Sequence, residues 1–239
     1  MSLKSNDRCV MAGLRAVIFD LGGTLIRTAS PAEIIKKILE KYGIKRNIEE
    51  ISSAHRFAEE SVSPEDHGLS YYDFWIKWNK RILEKLRILD KNDFLAKVLV
   101  DEWWDNAGVE VYPDAEEVLV KLKRSGLKVG VITNAFEKDI EEIFRRVKLP
   151  ITFDVLVGID TVKKPKPSPE IFLYAVHTLK VLPHEAAYIG DDIEKDYVGA
   201  VSAGLRAVLI DRDSTYINRR DLIRVRSLSE VPELILRNF

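Results

Sequence analysis

The sequence predicts an α/β fold in which a doubly wound parallel sheet carries an α-helical domain inserted after its first strand. From Pro113 onward, short apolar runs alternate with amphipathic stretches, which indicates parallel strands joined by helices. From Ser30 to about Asn106, the apolar residues recur at helical spacing and aromatic residues are frequent. A chain of 239 residues that is 46% hydrophobic is large enough to bury a core for such a sheet and its insertion.

The first strand is predicted at Leu14–Phe19, an apolar run that ends at Asp20. Two glycines and a threonine follow shortly after, as expected for a buried strand that leads into a tight turn. A carboxylate held at a strand end can serve as a nucleophile or as a metal ligand. Asp20 is therefore the first candidate for a functional residue.

The inserted segment contains four predicted helices. Ser30 and Glu33 form a predicted capping box with Pro31 at the first helical position, and Gly43 ends this first helix. The other three helices are predicted at Ile48 to Glu60, about Tyr71 to Arg87, and Asp93 to Trp104.

An aromatic stripe marks the third inserted helix, where Phe74, Trp75 and Trp78 lie at helical spacing. Such a stripe packs inside a helical domain more often than it forms a platform for a substrate. We therefore expect these residues to belong mainly to the core of the helical domain.

The carboxyl-terminal half alternates helices with strands. Its helices are predicted at Asp114 to Arg124, Lys138 to Val147, Pro169 to Leu179 and Ile193 to Ala203, and its strands at Lys128 to Thr133, Val155 to Gly158, Ala186 to Gly190 and Ala207 to Ile210. In open parallel sheets, ligands bind at the carboxyl ends of the strands. Polar residues stand at three such ends, namely Asp20, Thr133-Asn134 and Asp191-Asp192. The sequence thus predicts one site at this edge of the sheet.

These patterns predict the domain boundaries. Residues 1–13 are expected to be disordered or tag-like, residues 14–28 and 110–239 to form the α/β core, and residues 29–109 to form the helical domain.

Charge and cysteine content exclude several classes of protein. The formal net charge is -1, which argues against a nucleic-acid or membrane-surface binder. Cys9 is the single cysteine, so an intrachain disulfide is impossible and a reducing, cytoplasmic location is expected.

No apolar run approaches the roughly 18 residues of a membrane span, and the start of the chain lacks the apolar stretch of a secretion signal. We expect a monomer or a homodimer.

Four segments resemble, in order, the four motifs of the haloacid dehalogenase superfamily. Asp-Leu-Gly-Gly-Thr at 20–24 resembles the first motif, whose phosphatase form is Asp-x-Asp-x-Thr, and Val-Ile-Thr-Asn at 131–134 resembles the second. Lys-Pro-Ser-Pro-Glu-Ile-Phe at 166–172 is similar to the third, and Gly-Asp-Asp-Ile-Glu-Lys-Asp at 190–196 to the fourth. The resemblance spans about residues 14–211 and implies a Rossmann-like core with a helical cap, as in the phosphoglycolate-phosphatase-like subgroup.

The resemblance implies a phosphatase that acts on a small phosphorylated metabolite. In that reading, Asp20 attacks phosphorus and forms an aspartyl phosphate. Thr133 and Asn134 bind the substrate, and the Thr133 hydroxyl donates to a phosphate oxygen. Lys166 neutralises the nucleophile and the phosphate.

The same resemblance implies a Mg²⁺ site, since Mg²⁺ prefers carboxylate and carbonyl oxygens. Asp20 and Asp191 would supply carboxylates, and Asp192 and Asp196 would help directly or through water. Gly22 would contribute its main-chain carbonyl.

Two neighbouring lysines compete for the role of the third-motif lysine. Lys164 is followed by Pro165 and so mimics the pair at Lys166 and Pro167. Only Lys166 is followed by the complete Pro-x-Pro-x-Ile-Phe continuation, which favours it.

Gly22 departs from the phosphatase pattern, because the second Asp of the first motif is a general acid and base. Such help is typically worth about 10²–10⁴-fold in rate. The chain would then be a weak phosphatase that favours aryl or acyl phosphates, or another residue or the substrate would supply the proton.

Other reactions need no acid at this position. A 2-haloacid dehalogenase displaces halide with a first motif that also lacks the second Asp, although Asp191 argues for a metal that this reaction does not need. Phosphonate cleavage uses a cap lysine, and Lys36, Lys37 and Lys77 are all present without one being singled out. A catalytically degenerate member that binds a ligand or a protein is the non-enzymatic alternative.

Overall fold

A six-stranded parallel sheet forms the centre of the molecule. The structure is a computed structural model and describes residues 13–238; the predicted tag-like segment therefore lies outside the described residues, apart from Gly13. The strands are β1 (Ala16–Phe19), β4 (Lys128–Ile132), β5 (Val155–Val157), β6 (Ala186–Gly190), β7 (Arg206–Ile210) and β8 (Arg224–Val225), in the spatial order β5-β4-β1-β6-β7-β8. Because β1 lies between β4 and β6, its carboxyl end has a strand end on either side.

Helices cover both faces of this sheet. They are α6 (Ala115–Arg124), α7 (Glu137–Arg146), α8 (Ile159–Val162), α9 (Pro169–Thr178), α10 (Gly199–Ser202) and α11 (Val231–Asn238). Successive side chains of a strand point to opposite faces. Val17 and Phe19 accordingly pack in one buried cluster with α6 and α7, whereas Ala16 and Ile18 pack in a second cluster with α9 and α10. This is the doubly wound arrangement that the sequence predicts.

The register brings the strand ends level. Phe19 of β1 pairs with Val131 of β4 and with Ile189 of β6. Asp20, the next residue, donates its main-chain N–H to the carbonyl of Ile189 at 2.8 Å. The first residues beyond the three strands therefore meet at one edge of the sheet.

The inserted helices lie between β1 and β4 in the chain and form a hydrophobic core of their own. They are α1 (Pro31–Lys41), α2 (Ile48–Glu60), α3 (Tyr71–Lys85), α4 (Phe94–Asp101) and α5 (Trp103–Asn106), with a 3₁₀ turn at Pro64–Gly68. Ile35, Ile38, Ala54, Ile82 and Leu99 are completely buried in this core. The predicted capping box is present, because the Ser30 hydroxyl accepts from the Glu33 N–H and the Glu33 carboxylate accepts from the Ser30 N–H.

Two chain segments connect the sheet to the inserted helices, and they pair with each other as a short antiparallel ladder. It consists of β2 (Ile26–Arg27) and β3 (Glu110–Val111), with Ile26 opposite Val111. Arg27 also forms an ion pair with Glu110 at 2.6 Å. The chain thus leaves the sheet and returns to it side by side.

Two of the predicted helices are not continuous α-helices in the structure. The single helix predicted at Asp93 to Trp104 breaks at Glu102 into α4 and α5. The helix predicted at Ile193 to Ala203 begins as a π-helix over Ile193–Val198 and becomes α-helical only at Gly199. Among residues 13–238, no helix is both long and apolar enough to cross a membrane.

Candidate active site

The carboxyl edge of the sheet holds a buried lysine surrounded by acidic and phenolic oxygens. Lys166 Nζ donates to Asp20 Oδ1 at 2.6 Å, to Asp196 Oδ1 at 2.6 Å and to the Tyr188 hydroxyl at 2.9 Å. All four side chains are buried. An ammonium has three N–H donors, so this lysine is fully engaged.

Lys166 lies in a loop that Asn134 anchors. The Asn134 side-chain amide donates to the Lys166 carbonyl at 3.0 Å and accepts from the Lys166 N–H at 2.7 Å. Asn134 was predicted to bind substrate; its side chain here holds the main chain of the lysine loop. The other candidate, Lys164, is exposed and pairs with Glu170 at 2.6 Å, so the site contains Lys166.

Three carboxylates approach one another at this edge. One oxygen each from Asp20, Asp191 and Asp196 lies within 4.8 Å of the other two. Asp192 lies outside this group, because its Oδ1 caps the following π-helix by accepting from the Lys195 N–H at 2.8 Å. The three grouped residues offer only hard oxygen donors, as Mg²⁺ requires.

Burial and mutual repulsion perturb these acids. Burial, together with the charges of Asp196 and Asp191, outweighs the opposing effect of Lys166 and raises the pKa of Asp20 to about 7. Desolvation and the charge of Asp196 raise the pKa of Asp191 to about 6. Burial alone would lower the pKa of Lys166, but the charges of Asp20 and Asp196 raise it to about 12. The site is therefore short of positive charge.

Thr133 stands one residue beyond β4 and is buried. Its Oγ1 accepts the Ala135 N–H at 3.2 Å. Because that bond occupies an oxygen lone pair, the hydroxyl proton is left to donate to another group. This is the orientation that the predicted role in phosphate binding requires.

The two glycines of the first motif occupy different environments. Gly23 has a φ of +77°, and a Cβ there would lie 2.2 Å from Asp191 Oδ2, so only glycine fits. Gly22 does not have a positive φ, and a Cβ there would meet nothing within 4 Å. The backbone therefore does not require glycine at the position where phosphatases carry an Asp.

Tyr188 was missed by the sequence reasoning. Its hydroxyl lies 3.1 Å from Asp196 Oδ1 and 3.2 Å from the Ile132 carbonyl, in addition to its contact with Lys166. A phenol at the third position of the otherwise apolar strand β6 was the available signal.

The family assignment follows from comparison with known proteins. Residues 14–204 match the family model of a haloacid dehalogenase-like hydrolase. The chain belongs to this hydrolase family. The resemblance predicted from the four motifs is thereby confirmed.

Relatives in the haloacid dehalogenase-like family differ in their reactions. Pyrophosphatase PpaX from Bacillus cereus is 30% identical over 197 residues, covering 82% of this chain and 83% of the relative. (S)-2-haloacid dehalogenase 1 from Pseudomonas sp. is 27% identical over 234 residues, covering 95% and 99%. The crystal structure of a HAD phosphatase from Thermococcus onnurineus matches with a TM-score of 0.63 at 27% identity, covering 93% of this chain and 98% of that one.

Proposed function

We propose that this hydrolase is a Mg²⁺-dependent phosphatase that acts on a small phosphorylated metabolite through an aspartyl-phosphate intermediate. The observation that carries the proposal is the cluster of Asp20, Asp191 and Asp196 around one sheet edge, with Lys166 bonded to two of them. A carbon–halogen hydrolase needs one nucleophilic carboxylate, whereas three acids with oxygens within 4.8 Å of one another favour a site built for a cation.

The donor set fits Mg²⁺. The carboxylates of Asp20 and Asp191 and the carbonyl of Gly22 would hold the ion, with Asp196 and Asp192 contributing directly or through water. When bound, Mg²⁺ neutralises the charge on the phosphate oxygens and compensates the repulsion among the acids. Besides burial, the neighbouring acids raise the pKa of Asp20 and of Asp191, and a bound cation would offset this repulsion.

Asp20 is the proposed nucleophile. Lys166 holds its Oδ1, and its Oδ2 makes none of the hydrogen bonds found among residues 13–238. An oxygen of Asp20 bonds to phosphorus while the bond from phosphorus to the leaving oxygen breaks, and the leaving group departs with that electron pair. The oxygen of a water molecule then bonds to phosphorus while the bond from phosphorus to the Asp20 oxygen breaks, which restores the Asp20 carboxylate and releases inorganic phosphate.

Thr133 and Lys166 have different roles, the first in binding the phosphate and the second in orienting Asp20. The Thr133 hydroxyl donates to a phosphate oxygen, as its bond from the Ala135 N–H allows. Lys166 orients the nucleophile rather than clamping the phosphate, because its three donors are already used. The inserted helices act as a cap that excludes water during the transfer.

The deciding experiment compares the wild type with Asp20→Asn on para-nitrophenyl phosphate, with Mg²⁺ and with a chelator. Turnover only by the wild type, and only with metal, is the expected result. Equal turnover by Asp20→Asn would refute the role of Asp20, and full activity in chelator would refute the role of the metal. If neither protein turns over, the binding-module alternative gains support.

A second candidate is 2-haloacid hydrolysis by the same Asp20, and Gly22 is the observation that favours it. Halide leaves without a proton, so this reaction needs no acid at position 22. Chloride release from 2-chloropropionate in the presence of chelator would establish it in place of the phosphatase.

A further inference from the structure

A cavity of about 280 Å³ lies between the inserted helices and the loop after β4. All four tryptophans of the chain line it, and Tyr71 adds a fifth aromatic ring. The aromatic stripe predicted on α3 packs in the core, with Phe74 buried against Phe136 and both tryptophans against this pair. Trp75 and Trp78 also line the cavity. A cavity of about 150 Å³ with apolar walls suffices to bind benzene.

The cavity adjoins the candidate active site on two sides. Ala135 in its wall is bonded through its N–H to Thr133, the proposed phosphate-binding residue. Glu59 in its wall forms an ion pair at 2.9 Å with Lys195, the residue before Asp196. Through these two contacts, the wall of the cavity is connected to the segments that carry Thr133 and Asp196.

Among residues 13–238, none of those that line the cavity is a lysine or an arginine. Burial lowers the pKa of the His55 ring and so favours its uncharged form. Glu59 is paired with Lys195, and the Asp139 carboxylate already accepts from Tyr71, Trp104 and the Phe136 N–H. The lining therefore offers an anionic group no lysine or arginine, and the carboxylates of both acids already have partners.

From these features we infer that the substrate is an aryl phosphate and that the cavity binds the uncharged ring of its leaving group. The inference rests on the proposed phosphatase activity. It also accounts for Gly22, because a phenolic oxygen leaves with its electron pair far more easily than an alkoxide and takes its proton from water. The missing acid and the aromatic cavity then have one explanation.

Ring binding can be measured without catalysis, since every tryptophan of the chain faces the cavity. Tryptophan fluorescence of the Mg²⁺-loaded protein is titrated with phenol, choline and glycolate, with excitation at wavelengths that phenol does not absorb. Phenol is expected to give a saturable change, with choline and glycolate at least about tenfold weaker. Preferential binding of choline or glycolate, or no response to phenol, overturns the inference.

Two variants locate the binding. Val100→Phe fills the cavity from α4, and Trp75→Leu removes part of its wall; each is expected to weaken phenol binding by about tenfold or more. Phe57→Ala is the control, because Phe57 is on α2 with His55 but is exposed and outside the cavity wall. Unchanged phenol binding in both cavity variants overturns the inference.

Kinetics separate this inference from the proposed function. Acetyl phosphate also needs no acid but has no ring, so the ratio of kcat/KM for phenyl phosphate to that for acetyl phosphate reports the ring alone. We expect Val100→Phe to lower this ratio about tenfold or more, and Phe57→Ala to leave it unchanged. Acetyl phosphate turnover without phenol binding leaves the activity standing and refutes the cavity's role. Phenol binding without turnover of either ester refutes both proposals.

Discussion

Asp20 and Asp139 are both buried aspartates close to strand ends, yet they lie in opposite environments. Asp20 contacts a charged lysine and is close to two further acids. Asp139, on α7, accepts hydrogen bonds from neutral donors only: Tyr71 at 2.9 Å, Trp104 at 3.0 Å and the Phe136 N–H at 3.1 Å. The contrast teaches that burial of a carboxylate does not by itself indicate chemistry. Several charged groups surround Asp20 at the sheet edge, whereas the partners of Asp139 are uncharged hydrogen-bond donors.

Replacing Asp20 or Asp139 with asparagine should give the largest difference between the two regions, measured as kcat. Asp20→Asn is expected to lower kcat on para-nitrophenyl phosphate by about 10⁴-fold or more, as removal of a nucleophile does elsewhere. Asp139→Asn should lower it less than about tenfold, because the Asp139 carboxylate holds helices together and takes no part in the attack on phosphorus. Steady-state kinetics with Mg²⁺ measure both. A comparable loss in Asp139→Asn would mean that the junction takes part in the reaction.

Stability should show the reverse order. Asp139→Ala is expected to lower the free energy of unfolding by about 3 kcal/mol, because it strands buried donors that each cost about 1–3 kcal/mol. Urea denaturation measures this loss. The matched control is Asp160→Ala, which removes a single bond to the Glu137 N–H at the start of the same helix α7 and should cost about 1 kcal/mol. Equal losses in the two variants would show that Asp139 does not join α7 to the inserted helices.

Gly22→Asp should complete the charged edge. Because a Cβ at Gly22 meets open space, the new carboxyl group fits and should raise kcat/KM for alkyl phosphates by about 10²-fold, with a smaller gain for aryl phosphates. Gly23→Ala provides the steric comparison, since its Cβ would collide with Asp191 and activity should fall. If Gly22→Asp leaves both substrate classes unchanged, the acid is supplied from elsewhere.

A third buried carboxylate, that of Asp66, should affect the pH dependence of stability in the opposite direction to Asp139. Burial opposes ionisation of Asp66, but hydrogen bonds from Lys77, the Ser63 N–H and Arg81 hold its pKa well below the usual range. Its stabilising effect is therefore complete above the ordinary Asp pKa of about 4 and is lost as pH falls below it, by roughly 1 kcal/mol at pH 3. Burial instead raises the pKa of Asp139, so its contribution weakens as pH rises from about 4.

Unfolding measured from pH 3 to pH 7 tests both signs. Asp66→Asn should remove part of the loss at acid pH, and Asp139→Asn should remove part of the decline at higher pH. Identical pH profiles in the wild type and Asp66→Asn would refute the assignment to Asp66.

The sequence predicts the elements whose signals are local. The apolar runs before Asp20, Thr133 and Asp191 locate β1, β4 and β6, and α2 has the predicted bounds of Ile48 and Glu60. The strand ends in turn predict which acids meet, because parallel strands in register bring those residues together.

The remaining features depend on contacts that no local pattern encodes. The two-residue strands β2 and β3 exist because they pair with each other across the inserted segment. The π-helix after Asp192 accompanies the return of Asp196 to Lys166, and the partners of Asp139 come from two inserted helices. The Tyr188 contact and the cavity likewise emerge only once the chain is folded.

The ladder of β2 and β3 has a consequence for how such a protein can change over evolutionary time. The chain leaves and re-enters the sheet at adjacent points, so the two ends of the inserted segment, residues 28–109, lie side by side. A shorter, longer or unrelated segment could therefore replace it between Arg27 and Glu110 without moving a strand of the sheet or an acid at its edge. The architecture thus lets selectivity diversify while the reactive groups stay fixed.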